Sequence, residues 1–276
     1  MSLRTLGLAF GHDGRRLLTG IDLTVEKGES VALVGVNGSG KSTLLRLLSG
    51  ILAPHAGTVE LDGRPLTRMS RRQIARRVAV MHQTLPPVPG LTVRQLVHQG
   101  RYPGQGPLGM LRTTGHDPAT EEALALTGLA GLADRVLDTL SGGERQRARL
   151  ALALAQESDV LLLDEPTAHL DIRHQLEVLE LVREVRAARG LTVVTVLHEL
   201  DHAARFTDRV VALHRGTVHA DGRPIDVLTP DLLSEVFGVT GRVVLDEVRH
   251  HPRCIPDAPL AIGPAGARPG PVGSVS

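Results

Sequence analysis

The residues best suited to phosphate chemistry form one glycine-rich loop. Residues 35–42 read GVNGSGKS and match the pattern G-x-x-x-x-G-K-[ST]. Glycines let such a loop curl until its backbone N–H groups point inward, and the following helix start adds further donors. Lys41 supplies a positive charge for the β- and γ-phosphates, and the Ser42 hydroxyl can bind Mg²⁺. The residues predicted to bind the nucleotide here are Gly35, Val36, Asn37, Gly38, Ser39, Gly40, Lys41, Ser42 and Thr43.

Two carboxylates form the second candidate group. The apolar run Val160–Leu163 is followed by Asp164 and Glu165. At the carboxyl end of a strand in an open parallel sheet, side chains face the ligand crevice. Asp164 is placed to hold the Mg²⁺ shell, and Glu165 is placed to take a proton from an attacking water. Alone the pattern also fits a solvated strand end, but the phosphate loop upstream favours catalysis.

A second helix start suited to anions lies in the segment LSGGERQR, residues 140–147, called here the signature segment. Ser141 and Glu144 have capping-box spacing, which is typical of an ordinary helix N-terminus. Gly142 and Gly143 leave the adjoining backbone N–H groups uncovered, so this start also favours an anion. One nucleotide per chain should not need two such sites.

The elements that must position these residues alternate between strand and helix. Strands at 160–163, 192–197 and 209–213 alternate with helices at 172–188 and 201–206. This order predicts an α/β fold with a parallel sheet and helical crossovers.

Two other regions differ in character from this core. Residues 3–34 are β-rich, and helical spacing predicts a mainly helical insert over about 88–155. We expect one domain over 3–240 and a C-terminal extension over 241–276. The extension is rich in proline, glycine and alanine, so we expect poor order from about residue 256.

Composition excludes several classes of function. Among 276 residues, 31 Lys and Arg balance 30 Asp and Glu, and only 3 Phe and 1 Tyr are present. Balanced charge and few aromatic rings argue against a dedicated nucleic-acid binder. Cys254 is the single cysteine, which excludes an internal disulfide and a multi-cysteine metal site. No apolar run approaches the ~18 residues of a spanning helix, so we expect a cytoplasmic protein that can dock on a membrane protein.

The order of these motifs resembles the ATP-binding subunit of ABC transporters over about residues 3–240. The resemblance implies a P-loop NTPase (RecA-like) core with an antiparallel β subdomain and a helical signature subdomain. It implies ATP and Mg²⁺ as cofactors and ATP hydrolysis as the activity. In this family two subunits pack head to tail, so the resemblance also implies a homodimer. The signature residues Ser141, Gly142, Gly143 and Glu144 of one subunit would then cover the γ-phosphate held by the other.

Four further residues take family roles by position. Gln83 falls in the glutamine loop and is also a predicted metal ligand, and His198 falls at the switch histidine. Asp171 lies in the loop that crosses to the partner subunit, and Phe10 stands where the family usually has a tyrosine that stacks on adenine. Without this context, Gln83 fits a capped strand end, His198 a surface residue and Phe10 a core residue.

The branch of the family is indicated by segments that resemble iron–siderophore importers, which serve ferric siderophores, haem and cobalamin. The resemblance implies a subunit on the cytoplasmic face of a polytopic permease dimer, fed indirectly by an extracytoplasmic binding protein. Ferric siderophore is the expected cargo, with haem or cobalamin as the alternative. A soluble non-transport ATPase needs a long coiled-coil insert or tandem halves, and Gln83 and Ser141 are too close to enclose such an insert. The segments that carry the resemblance are 100–103, 170–181, 196–200 and 228–238.

Overall fold

An antiparallel sheet forms from the first part of the chain. The computed structural model describes residues 2–12, 14–82, 89–105 and 117–260. The strands of this sheet follow the order β2-β1-β4-β5. Leu3, Thr5 and Leu8 of β1 are buried, whereas Arg4 and Gly7 are exposed, as expected for a sheet with one face on the core. The four strands are β1 (Leu3–His12), β2 (Arg15–Val25), β4 (Ala56–Leu61) and β5 (Arg64–Pro65).

A six-stranded sheet forms the centre of the fold, in the order β10-β9-β3-β8-β7-β6. Strands β6, β7, β8, β3 and β9 run parallel, and β10 pairs antiparallel at the edge. Every residue of β3, β7 and β8 is buried, because helices or the other sheet cover both faces. The strands are β3 (Ser30–Val34), β6 (Val78–Met81), β7 (Val160–Asp164), β8 (Thr192–Val196), β9 (Arg209–His214) and β10 (Thr217–Gly222).

The helices complete three buried clusters. The leucines of α1 pack between the two sheets, while α3, α4 and α5 form a helical cluster against β6 and β7. None of the helices within the described ranges is long and apolar enough to cross a membrane. Their bounds are α1 (Lys41–Leu48), α2 (Arg71–Ala75), α3 (Val93–Gln99), α4 (Pro118–Leu126), α5 (Gly142–Leu154), α6 (Ile172–Arg189), α7 (Leu200–Phe206), α8 (Pro224–Val227) and α9 (Pro230–Glu235). The predicted α/β class is confirmed.

The C-terminal extension differs from the sequence prediction. Strands β11 (Val239–Leu245) and β12 (Pro252–Pro259) form an antiparallel hairpin, so the expected poor order from about residue 256 is wrong up to Pro259. The predicted boundary at 240 falls inside β11. The hairpin is anchored on α7, where the Cys254 N–H donates to Asp201 Oδ1 at 2.9 Å. A two-stranded hairpin tolerates proline at positions that donate no ladder hydrogen bond, which is why its composition concealed it.

Candidate functional site

The phosphate loop joins the end of β3 to the start of α1, as its sequence predicts. Gly35, Gly38 and Gly40 adopt φ values of 142°, 78° and 104°. A Cβ at Gly35 would lie 2.2 Å from the Leu213 carbonyl oxygen, and one at Gly40 would lie 2.5 Å from Leu18 Cδ2. Both positions therefore require glycine for space as well as for backbone conformation.

Lys41 is buried beneath this loop, with 5% of its surface exposed. Its Nζ donates to the carbonyl oxygens of Gly35 at 2.8 Å and Val36 at 3.0 Å. An ammonium group has three donors, so one remains for a phosphate oxygen. Burial lowers the pKa of Lys41, and the negative charges of Glu165 and Asp164 oppose that shift.

A second feature of the loop, the Ser39 hydroxyl, also suits phosphate binding. Ser39 is buried, and its hydroxyl has no hydrogen-bond partner within the described part of the chain. A hydroxyl left unpaired in this position suits a polar ligand, since buried polar groups are normally satisfied. Val36 and Asn37 are exposed on the loop, and Thr43 lies on α1.

The proposed metal ligands lie together at the end of the parallel sheet. Ser42 Oγ donates to Asp164 Oδ1 at 2.8 Å. Hydroxyl and carboxylate oxygens are ligands that Mg²⁺ prefers, so these two residues fit the ion. Gln83, predicted as a further ligand, lies outside the described residues. His82 directly precedes it: burial and then the charge of Arg46 lower its pKa, whereas the charge of Asp164 opposes this shift.

Glu165 and His198 are in contact next to the metal candidates. The distance from His198 Nε2 to Glu165 Oε1 is 2.8 Å. Glu165 adopts a φ of 53°, a left-handed conformation that is costly for a residue with a side chain. Its side chain is 18% exposed, so water can reach a carboxylate whose orientation His198 fixes. This arrangement suits proton abstraction from a water.

The signature segment starts α5 with the predicted capping box. Ser141 Oγ accepts from the Glu144 N–H at 3.2 Å, and Glu144 Oε2 accepts from the Ser141 N–H at 2.7 Å. The hydrogen bond from the Ser141 N–H, and then the Ser141 side chain, lower the pKa of Glu144. The two glycines differ: a Cβ at Gly142 would meet nothing within 4 Å, whereas one at Gly143 would lie 2.7 Å from His174 Cδ2. Gly142 thus opens onto solvent, and Gly143 accommodates a ring of the same chain.

Asp171 caps α6 and completes the set of predicted residues. Its Oδ1 accepts from the His174 N–H at 3.0 Å, a hydrogen bond that lowers the pKa of Asp171. The signature helix is held nearby, because the Gln146 side-chain amide donates to the Pro166 carbonyl at 2.5 Å. The structure therefore places the signature segment beside residues 166–174 and places Lys41, Ser42, Asp164, Glu165 and His198 together at the strand ends.

Phe10 lines a cavity of about 420 Å³ at the end of β1. Its ring centroid lies 4.9 Å from that of His55, with a tilt of 33°. Leu18 lines the same cavity and also contacts Gly40, so the cavity adjoins the phosphate loop. Sequence reasoning missed His55, because it lies in the connection between α1 and β4 and meets Phe10 only after folding.

Comparison with known proteins agrees with this geometry. The family model described as ABC transporter matches residues 18–168. The iron(3+)-hydroxamate import ATP-binding protein FhuC of Bacillus subtilis is 41% identical over 254 residues, covering 92% of this chain and 94% of FhuC. The ferric enterobactin transport ATP-binding protein FepC of Escherichia coli is 38% identical over 254 residues, covering 92% of this chain and 93% of FepC.

Two further proteins are similar to this chain over most of its length. The cobalamin import ATP-binding protein BtuD of Halobacterium salinarum is 43% identical over 237 residues, covering 86% of this chain and 59% of BtuD. A metal-chelate-type ABC transporter in an inward-facing conformation superimposes with a TM-score of 0.77 at 26% identity, covering 92% of this chain and 96% of that chain. The chain belongs to the ABC transporter family as an ATP-binding subunit, and its activity is ATP hydrolysis.

Proposed function

We propose that this chain powers the import of a ferric siderophore by hydrolysing ATP at the strand ends of its parallel sheet. The observation that carries the proposal is the near-full-length similarity to siderophore-import subunits, on a chain whose Lys41, Asp164 and Glu165 are clustered. A ferric chelate is too large and polar to cross a bilayer unaided, so import against a gradient requires coupled hydrolysis.

The roles of the site residues follow from their geometry. Residues 35–43 bind the triphosphate through backbone N–H groups and Lys41, and the adenine stacks in the cavity of Phe10 and His55. Ser42, Asp164 and Gln83 would hold Mg²⁺, and the ion would supply positive charge that offsets the charge of the triphosphate.

The chemical step uses Glu165 as general base. A water attacks the γ-phosphorus, the bond to the β–γ bridging oxygen breaks, and the proton of the water passes to Glu165. His198 holds the carboxylate in place through the 2.8 Å contact.

The exposed signature segment supports a homodimer. Ser141 and Gly142 are open to solvent and Gly142 has free space around it, so they are available to the phosphate held by a second copy. Two copies packed head to tail would complete each site, with Asp171 crossing between them. This dimer would bind a permease dimer at the cytoplasmic side of the membrane, and an extracytoplasmic binding protein would deliver the cargo.

The share of each relative's length that aligns with this chain favours siderophore over cobalamin as the cargo. FhuC and FepC align over more than nine-tenths of their own length, whereas the match to BtuD spans 59% of it. Haem or cobalamin import remains the alternative with the same machinery. A non-transport role is not favoured, because the relatives named above are all import or transport subunits.

Uptake in a deletion strain tests the cargo. Labelled iron as a siderophore complex, labelled haem and labelled cobalamin are supplied to the deletion strain, complemented with the wild-type gene or with Glu165→Gln. We expect siderophore uptake to be lost and restored only by the wild-type gene. Loss of haem or cobalamin uptake with siderophore uptake intact would transfer the assignment to the alternative cargo. Unchanged uptake of all three, in a strain lacking other such ATPases, would contradict a role in import.

A further inference from the structure

The start of the signature helix α5 is tied to the segment that follows Glu165. Gln146 donates to the Pro166 carbonyl at 2.5 Å, and Arg147 lies 3.4 Å from Glu177. A third contact lies closer to the signature glycines: the ring of His174 fills the space beside Gly143.

The ring of His174 is held at both edges. Its Nδ1 lies 2.8 Å from Asp171 Oδ1, the same oxygen that accepts the His174 backbone N–H. A carboxylate only accepts, so Nδ1 carries the proton and the ring orientation is fixed. The opposite edge faces Gly143, where a Cβ would lie 2.7 Å from Cδ2 and 3.2 Å from Nε2.

We propose that His174 is a positioning residue that joins the signature turn and the cap of α6 into one unit. The inference rests on the proposed function, in which Gly142 and Asp171 both face the nucleotide of the partner subunit. The Asp171 side chain is 66% exposed and a lone cap would reorient in solvent. Bonded to a ring wedged against Gly143, it keeps a fixed position relative to the signature N–H groups, so both reach the partner together.

The two edges of the His174 ring make different contacts, and substitutions can remove one contact while keeping the other. Asparagine can present an N–H near the position of Nδ1 but lacks the edge that meets Gly143. Phenylalanine keeps that edge and lacks the donor. Gly143→Ala leaves the donor intact, but the new Cβ overlaps Cδ2, so the ring and Asp171 must shift relative to the signature turn.

The test measures kcat and KM for ATP on the purified full-length dimer, with a melting temperature for each variant. We expect His174→Phe to lower kcat about 10-fold, the scale of one hydrogen bond to a charged group. His174→Asn keeps the donor but loses the contact with Gly143, so its kcat should lie between those of wild type and His174→Phe, and KM should stay near wild type in both, since the phosphate loop is untouched. Arg173→Ala is the matched control, because Arg173 is 84% exposed and pairs with Glu177 on the same helix turn.

A double variant distinguishes the positioning role of His174 from direct contact between Gly143 and the nucleotide. Gly143→Ala alone should lower kcat more than His174→Phe does, and adding His174→Asn should raise kcat again, because the smaller side chain makes room for the Cβ. A double variant as slow as Gly143→Ala, with an unchanged melting temperature, would overturn the proposal and assign the effect of Gly143 to direct contact with nucleotide. Equal kcat for the Phe and Asn variants would also overturn it. Failure of the cargo proposal alone would appear as unchanged siderophore uptake and would leave these kinetic differences in place.

Discussion

Replacing Glu165 by glutamine removes the proton-accepting role of this side chain while keeping its shape. The amide keeps the shape of the carboxylate and keeps an oxygen that can accept from His198 Nε2, now 2.8 Å away. The side chain lies mostly inside the protein, and the isosteric change leaves no cavity. What disappears is basicity toward the attacking water, together with the negative charge that acts on Lys41.

Loss of a general base typically slows a reaction by ~10²–10⁴-fold, which raises the barrier by about 3–5 kcal/mol. We expect Glu165→Gln to reach this range in turnover at saturating ATP and Mg²⁺ while still binding ATP. If two copies pack head to tail as proposed, slow hydrolysis should let the ATP-bound dimer accumulate, which gel filtration with and without ATP would detect.

Lys41→Ala provides the contrast, since it removes the charge that we propose contacts phosphate and should weaken nucleotide binding itself. Turnover of Glu165→Gln close to wild type would refute the assignment of Glu165 as base. A variant that loses ATP binding along with turnover would instead indicate that Glu165 holds the nucleotide.

Three other outcomes follow from the structure. Mixing inactive Lys41→Ala and Ser141→Arg subunits should restore ATPase activity, because one of the two composite sites in the heterodimer is intact; a heterodimer that forms without activity would count against the head-to-tail arrangement. Phe10→Ala should raise KM for ATP with little change in kcat, whereas Phe10→Tyr should preserve both, as measured by steady-state kinetics. Burial and then the charge of Asp201 raise the pKa of the Cys254 thiol from 9.0 to about 11, so native protein at pH 8 should react ~100-fold more slowly with a thiol reagent than unfolded protein; equal rates would contradict the burial. Because the unfolded state loses this proton first, the contribution of Cys254 to the free energy of unfolding should decline as pH rises from 9 toward 11.

Short-range patterns made much of this fold predictable. The phosphate loop, the capping box at Ser141 and the buried runs of β3 and β7 are each set by residues within one turn or one strand. The alternation of strand and helix then fixed the parallel sheet, which brings the ends of its strands to one edge. The meeting of Ser42 with Asp164 follows from that topology.

Contacts between distant segments could not be predicted from these patterns. Nothing near Phe10 indicates that His55 will stack beside it, because the two meet through the pairing of β1 with β4. Gly143 was explained by exposure of backbone N–H groups, whereas its neighbour in space is a ring from α6. A pattern along one helix carries no information about which side chain another helix will place against it.

The central position of β3 has a consequence for the order of events during synthesis. This strand carries the phosphate loop, yet its two partners in the sheet are β8 and β9, which begin at Thr192 and Arg209. The Leu213 carbonyl against which Gly35 packs is made later still. Through most of its time on the ribosome, the nascent chain therefore contains a complete phosphate-loop sequence but lacks the two strands that flank β3 in the sheet. The apolar β3 therefore stays without its partners in the sheet until β8 and β9 emerge, and such an unpaired strand is prone to aggregation.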